Sequence, residues 1–418
     1  MSELLKRKIH ETEDNGSSKK KYSLVTEKTS VVVGSRKSQL AVIQTKSIVA
    51  ALCQKEKDVE CIIETMDTLG DKILHIALPK IGEKSLFTKD LELALSEKRV
   101  DFLVHSLKDL PTTLPQGMAI STIYKRDDPR DCIIFHPKHN GKKLADLPEN
   151  SIIGTSSLRR VAQLKRKYNK LTFQSVRGNL NTRLQKLEEE SLYDAIVLAK
   201  AGVDRMGWTE KIGQILSEDE CLYAIGQGAI TVEVRNDDKY TISILAQLTD
   251  METLLACVAE RCFMRTLNGG CSTPIACHSQ FSGNNYSLRG IVLNADGSRF
   301  LDSTVSTTLQ VNILTDQNEP PSYTVSKSGV VINSLYINEF IKAEKCGEEL
   351  AYCLKKLGAD DVLKEVRSKL PNISNIHVPI SKKVKSMLIE DLRVNLTYDK
   401  NNSNNKDATK ILRLFGIR

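Results

Sequence analysis

Val33-Gly34-Ser35-Arg36-Lys37-Ser38-Gln39-Leu40 has a looser copy at Ile153-Gly154-Thr155-Ser156-Ser157-Leu158-Arg159-Arg160. In each, an apolar run stops at glycine, and hydroxyl and basic residues then open a helical pattern. That is the sequence form of a strand–turn–helix unit. A second pair, DFLVHS at 101–106 and DAIVLA at 194–199, follows in the same order. Two similar α/β domains facing each other across a cleft account for both pairs, with the loops at the strand ends lining the cleft. Chance likeness between generic strand–helix units is the alternative.

Working outward, strand-like runs stand at 61–66, 102–105, 120–124, 132–135, 152–155, 171–176 and 195–198, with helical patterns between many of them. This alternation predicts α/β architecture with a mostly parallel sheet. A change of register at AIGQGAI (224–230) predicts a return of the chain to the first domain. A third region starts near Asp250 with an amphipathic helix over 251–267, the loop Asn268-Gly269-Gly270-Cys271, and strands at 275–280 and 287–293. Residues 296–335 are polar and read as a loop insertion, and helices are expected at 339–357 and 360–369. The expected division is a tail (1–28), domain 1 (29–126 and 226–249), domain 2 (127–225), a smaller α+β domain 3 (250–369) and a polar tail (370–418).

The net charge of +8 is unevenly spread. The two tails carry +2 and +5, so residues 29–369 hold only +1. A nearly neutral body argues against a nucleic-acid coat or a polybasic membrane binder. No apolar run reaches the ~18 residues of a membrane helix. The stretch 1–14 lacks the apolar core of a secretory signal, and the ten cysteines include no CxxC pair, so a reduced intracellular protein is expected. The clusters Lys6-Arg7-Lys8 and Lys19-Lys20-Lys21 read either as a nuclear signal or as a solvated tail.

Within the neutral body, 154–186 holds nine basic residues and no acidic one. Arg159, Arg160, Arg177 and Arg183 suit bidentate recognition of carboxylate or phosphate. Thr155, Ser156 and Ser157 add helix N-terminal donors. Lys165, Arg166 and Lys167 read as a solvated face. Arg36 and Ser38 offer a matching device from the first domain, so the cleft suits a small molecule with several carboxylates. His105-Ser106-Leu107-Lys108-Asp109-Leu110-Pro111 ends an apolar strand. Asp109 there is either a general acid/base or an ordinary turn residue. Cys271 is either a reactive loop thiol or one cysteine of ten. His136 and His139 lack a third ligand at metal spacing, and no metal is expected.

Together these residues resemble the porphobilinogen deaminase family. The matching runs are GSRKSQLAVIQT (34–45), GEKSLFTKDLE (82–92), VHSLKDLPT (104–112), GTSSLRRVAQL (154–164), VRGNLNTRL (176–184), LAKAGVDRMGW (198–208), GQGAI (226–230) and LNGGCSTPI (267–275). The resemblance implies two periplasmic-binding-protein-like α/β domains around a cleft plus the smaller C-terminal domain. It implies a transferase that joins four porphobilinogen molecules head to tail, loses ammonia each time and yields hydroxymethylbilane for haem synthesis. It further implies a dipyrromethane cofactor on Cys271 through a thioether, with Asp109 as the catalytic acid. Ser106, Lys108, Asp109, Thr155, Ser156, Ser157, Arg159, Arg160 and Arg183 match cofactor-holding positions. Arg36, Ser38, Arg177 and Arg205 match substrate-holding positions, and 70–86 matches a mobile lid. A cytoplasmic monomer without nucleic-acid or membrane partners is expected. The competing reading is a non-catalytic binding module for a small polycarboxylate. An RNA-binding use of 154–186 lacks the aromatic residues on which bases stack.

Overall fold

The computed structural model describes residues 29–68, 85–270, 273–313, 322–326 and 328–368. The two halves of the echo form two five-stranded sheets with the same plan. The first sheet contains β1 (Thr29–Arg36), β2 (Val59–Met66), β3 (Phe102–Ser106), β4 (Met118–Ile123) and β10 (Ile230–Arg235), ordered β2-β1-β3-β10-β4. The second contains β5 (Asp131–Phe135), β6 (Ile152–Gly154), β7 (Thr172–Gln174), β8 (Ala195–Ala199) and β9 (Gln214–Ile215), ordered β7-β6-β8-β5-β9. In each, the first three strands pair in parallel. The fourth, β10 or β5, runs antiparallel to both its neighbours. Each antiparallel strand enters directly from the other sheet and so arrives in the opposite direction.

The echoed glycines share a packing cause. Gly34 pairs with Leu103, and a Cβ on Gly34 would lie 2.6 Å from the Leu103 side chain. Gly154 pairs with Ile196, and a Cβ there would lie 2.9 Å from its side chain. Both strands therefore need a residue without a side chain at this pairing position, two residues before the end of β1 and at the last residue of β6.

Helices cover both faces of the sheets. On the first sheet, α1 (Gln39–Lys55) buries Ile48 and Leu52 against Val31, Val33, Phe102 and Val104. α2 (Ser85–Ser96) buries Leu91 and Leu95 against Leu103 and Val100 on the opposite face. On the second, α3 (Leu158–Lys167) places Leu164 against Ile133 and Ile153. α4 (Leu180–Glu188) and α5 (Lys200–Arg205) cover the other face with Leu184, Leu187 and Val203. Helices on both faces bury strands along nearly their whole length, as in β3, β5 and β8.

Two crossings join the sheets. One leads from β4 to β5 and the other returns to β10. They run against each other, with Tyr124 N donating to Ile230 O at 2.9 Å and Asp127 N to Gly228 O at 3.3 Å. After β10, α6 (Lys239–Ala246) packs on the first sheet.

The third region is α+β. α7 (Met251–Thr266), α8 (Ile337–Lys356) and α9 (Ala359–Ser368) share one core with β11 (Ile275–Ser282) and β12 (Asn285–Leu293). The loop insertion expected over 296–335 is corrected here. β13 (Phe300–Thr308) pairs with β12 along nine residues, and β14 (Tyr323–Val325) and β15 (Val331–Asn333) form a hairpin. β13 reads as polar because Val305 is its one buried side chain, yet its Ser and Thr residues suit a half-solvated strand. The hairpin reaches the first sheet, where Ile120 N donates to Gly329 O at 2.7 Å. Among the described residues, no single helix is long and apolar enough to cross a membrane.

Candidate active site

β3 ends at Ser106, and a single 3-10 turn (Leu107–Asp109) carries the chain into the cleft. Leu107 and Leu110 are buried and pin the turn, and Leu107 N donates to Ala229 O at 3.0 Å. Lys108 is thereby half-buried and Asp109 exposed. Ser106 Oγ exchanges hydrogen bonds with the Gln44 amide on α1, at 2.9 and 3.3 Å.

From the second sheet, α3 presents Arg159 and Arg160, both buried. They converge on Asp131, which opens β5 and is wholly buried. Arg159 Nη1 lies 2.7 Å from Asp131 Oδ2, and Arg160 Nη2 lies 2.7 Å from Oδ1. Gln227 donates to the same Oδ1 at 2.8 Å and accepts from Lys108 Nζ at 3.3 Å. One polar chain therefore runs from Lys108 in the first sheet through the return crossing to both arginines of the second. Burial alone would push the Asp131 carboxyl up, but Arg159 and Arg160 outweigh it and hold it well below the usual carboxylate range.

One buried acid does not balance the cations. Burial pushes Lys108 down to about 8, with Arg160 and Arg159 adding to the effect and Asp109 opposing it. Burial likewise lowers Arg183 to about 10, helped by Arg160 and Arg177. Arg183 Nε donates to Gly178 O at 2.8 Å. Arg160 Nη1 donates to Val197 O at 2.8 Å, but its buried Nε has no hydrogen-bond partner among the described residues. The field at this point is positive and incompletely satisfied.

The structure thus brings Lys108, Asp109, Arg159, Arg160, Arg177 and Arg183 into one electrostatic cluster. Arg36 ends β1 and Ser38 occupies the N-cap position of α1 without a side-chain capping bond. The start of α1 meets the start of α4 across the cleft, where Asn181 Nδ2 donates to Gln39 Oε1 at 2.9 Å. The hydroxyls opening α3 are mostly occupied within the protein. Ser157 caps α3 at Arg160 N, Thr155 Oγ1 accepts from Ser157 N at 3.3 Å, and Ser156 Oγ donates to Val176 O at 2.6 Å. Lys165, Arg166 and Lys167 are exposed, as a solvated face requires, and Arg166 lies over the Phe300 ring. Arg205 Nε donates to Asp127 at 2.8 Å and its Nη2 to Gly228 O, both on the crossings. His139 is held by Asp194 at 2.8 Å, and no metal-binding group of His, Cys, Asp or Glu occurs among the described residues.

Sequence reasoning missed Asp131, Gln227 and a second hub. Asp131 left a faint signal, an acid opening the apolar run Cys132–Phe135. The second hub is Glu260 on α7, fully buried. It pairs bidentately with Arg126 of the first crossing at 2.6 and 3.1 Å and accepts from Gly226 N of the return crossing at 2.7 Å. One residue on, Arg261 donates to Leu110 O and Pro111 O, the tail of the Asp109 turn. α7 therefore ties both crossings and the site turn to the loop that leads to Cys271. Cys271 and residues 70–84 lie outside the described residues. Gly270 N and Thr273 Oγ1, flanking the cysteine, are hydrogen-bonded at 2.9 Å.

These features define a bilobal α/β protein with a third, tethering domain and a buried cationic cluster between its lobes. Residues 31–243 match the family description "Porphobilinogen deaminase, dipyromethane cofactor binding domain", and residues 254–316 match "Porphobilinogen deaminase, C-terminal domain". The chain belongs to the porphobilinogen deaminase family. It is 41% identical over 337 residues to the porphobilinogen deaminase of Prochlorococcus marinus (strain AS9601), covering 81% of this chain and 96% of that one. It is 42% identical over 341 residues to that of Desulforamulus reducens, covering 82% and 99%. Among solved structures, the VFT2 domain of Bordetella pertussis BvgS aligns at a TM-score of 0.34 and 13% identity, covering 55% of this chain and 91% of that one.

Proposed function

We propose that this chain condenses four porphobilinogen molecules head to tail to hydroxymethylbilane, as the hydroxymethylbilane synthase member of the transferase class. The observation that carries the site assignment is the cation excess around Asp109: Lys108 and Arg183 lowered by burial, and Arg160 Nε buried without a hydrogen-bond partner among the described residues. These groups fit the acetate and propionate carboxylates of dipyrromethane. Lys108, Arg160 and Arg183 would hold that group, with Ser106, Thr155, Ser156, Ser157 and Arg159 shaping its bed. When bound through Cys271, it supplies the anchored two-ring primer on which the chain grows.

The protein's own groups do the rest. Arg36, Ser38 and Arg177 bind carboxylates of the incoming substrate and hold it against the cluster. Asp109, an exposed carboxylate among cations, accepts pyrrole N–H groups, offsets the positive charge that develops as ammonia leaves, and moves protons. Arg205, held by Asp127 and Gly228 O on the crossings, completes the substrate-binding set. Arg159 and Arg160 face inward toward Asp131, which supports a small-molecule site and not a nucleic-acid surface.

We assign domain 1 to 29–126 and 226–249, domain 2 to 127–225 and domain 3 to 250–369, and take the protein as a cytoplasmic monomer. Light scattering and cell fractionation test the last two. The central test is intact mass with turnover. The purified chain should exceed its sequence mass by one dipyrromethane, the increment should vanish in Cys271→Ala, and Asp109→Asn should keep the adduct but lose nearly all turnover. An unmodified, fully active chain would reject the thioether. An unmodified chain without activity would revive the non-catalytic reading.

A further inference from the structure

We propose that Cys53 and Cys61 form a thiol pair on the first domain that closes to a disulfide by exchange with a small disulfide such as oxidised glutathione. Cys53 sits in the last turn of α1, exposed. Its Sγ points over β2, donating to Val59 O at 3.9 Å. In a strand, residues two apart share a face, so Cys61 projects on the same side as buried Val59. Cys61 indeed packs against the core that Leu52 and Val59 share, beside the Cys53 thiol. The intervening turn is fixed by Glu56 N to Leu52 O at 2.8 Å and Val59 N to Glu56 O at 3.2 Å, so the end of α1 is held against β2.

Exposure sorts the roles. Among the described cysteines, Cys53 is the exposed one, Cys61 and Cys353 are intermediate, and the others are buried. Burial and the neighbouring Cys53 thiol push Cys61 up to about 12, so Cys61 is a slow nucleophile. In the first step the Cys53 thiolate attacks one glutathione sulfur, the S–S bond breaks, and one glutathione thiolate leaves. In the second, Cys61 gives its proton to solvent and attacks the Cys53 sulfur, expelling the second glutathione. Two protein thiols are oxidised and one small disulfide is reduced to two thiols. α1 spans about 25 Å at its helical rise, so the pair lies a helix length from Ser38. Closure staples α1 to β2 and leaves the chemistry alone.

The test uses the full chain with its cofactor, incubated with oxidised glutathione at neutral and mildly alkaline pH, alkylated, digested with trypsin and weighed. The expected product is a linked pair of peptides, 47–55 with 58–72, lighter by two hydrogens and forming faster at alkaline pH. Cys61→Ser should instead accumulate glutathione on Cys53. Turnover should be unchanged by Cys53→Ser. As a check independent of variants, prior alkylation of Cys53 in the wild type should abolish the link. A wild type that stops at the Cys53 adduct, stays unmodified, or links Cys53 to another cysteine would overturn the pair.

Discussion

Replacing Asp131 by asparagine removes the one carboxylate that two buried arginines share. Asp131 is fully buried, and the side chains of Arg159 and Arg160 are 6% and 8% exposed, so solvent offers little compensation. Breaking a buried pair by deleting one partner costs about 3–5 kcal/mol. Asparagine still accepts one hydrogen bond, which puts the expectation near the lower end. At roughly 2–4 °C per kcal/mol, a loss of ~3 kcal/mol lowers the midpoint of thermal unfolding by about 6–12 °C. The pH dependence adds a second reading. A carboxyl held below its usual value in the fold contributes stability above the unfolded value of ~3.9, and that contribution is lost as pH falls further. The wild type should therefore lose midpoint steeply on acidification, and Asp131→Asn should follow a flatter acid limb. Circular dichroism melts across acid pH measure both. A midpoint drop of less than about 2 °C, with an unchanged acid limb, would refute the claim that Asp131 neutralises this cluster.

Two further outcomes follow from the same geometry. Lys108, lowered to about 8, disfavours its charged form in the fold, so stability of the cofactor-free chain should rise as pH climbs from about 8 toward the ordinary lysine value. Lys108→Met should flatten that rise in thermal melts across alkaline pH. Gly228→Ala should destabilise more than Gly141→Ala: both have positive φ, costing about 1–2 kcal/mol, but a Cβ on Gly228 would lie 2.4 Å from Asp127 O whereas Gly141 faces open space. Equal losses by denaturant titration would argue against close contact between the crossings.

What the sequence disclosed was local. Gly34 and Gly154 stand at equivalent pairing positions, and the two sheets they begin have the same strand order. The apolar runs of β3, β5 and β8 marked buried strands because both faces are covered. The missing parts depended on distant partners. Arg159 lies in an acid-free stretch, yet its acid is 28 residues upstream. Arg205 likewise pairs with Asp127, 78 residues away on the first crossing. β13 was hidden because its partner β12, and not an apolar alternation of its own, makes it a strand.

The position of β10 bears on how the chain matures as it leaves the ribosome. β10 lies between β3 and β4, so the N-terminal sheet stays split until Ile230–Arg235 has been synthesised. All five strands of the second sheet precede it. The lobe encoded in the middle of the chain can therefore close first, while the lobe encoded at the start waits, its central edge open, for a strand made more than a hundred residues later.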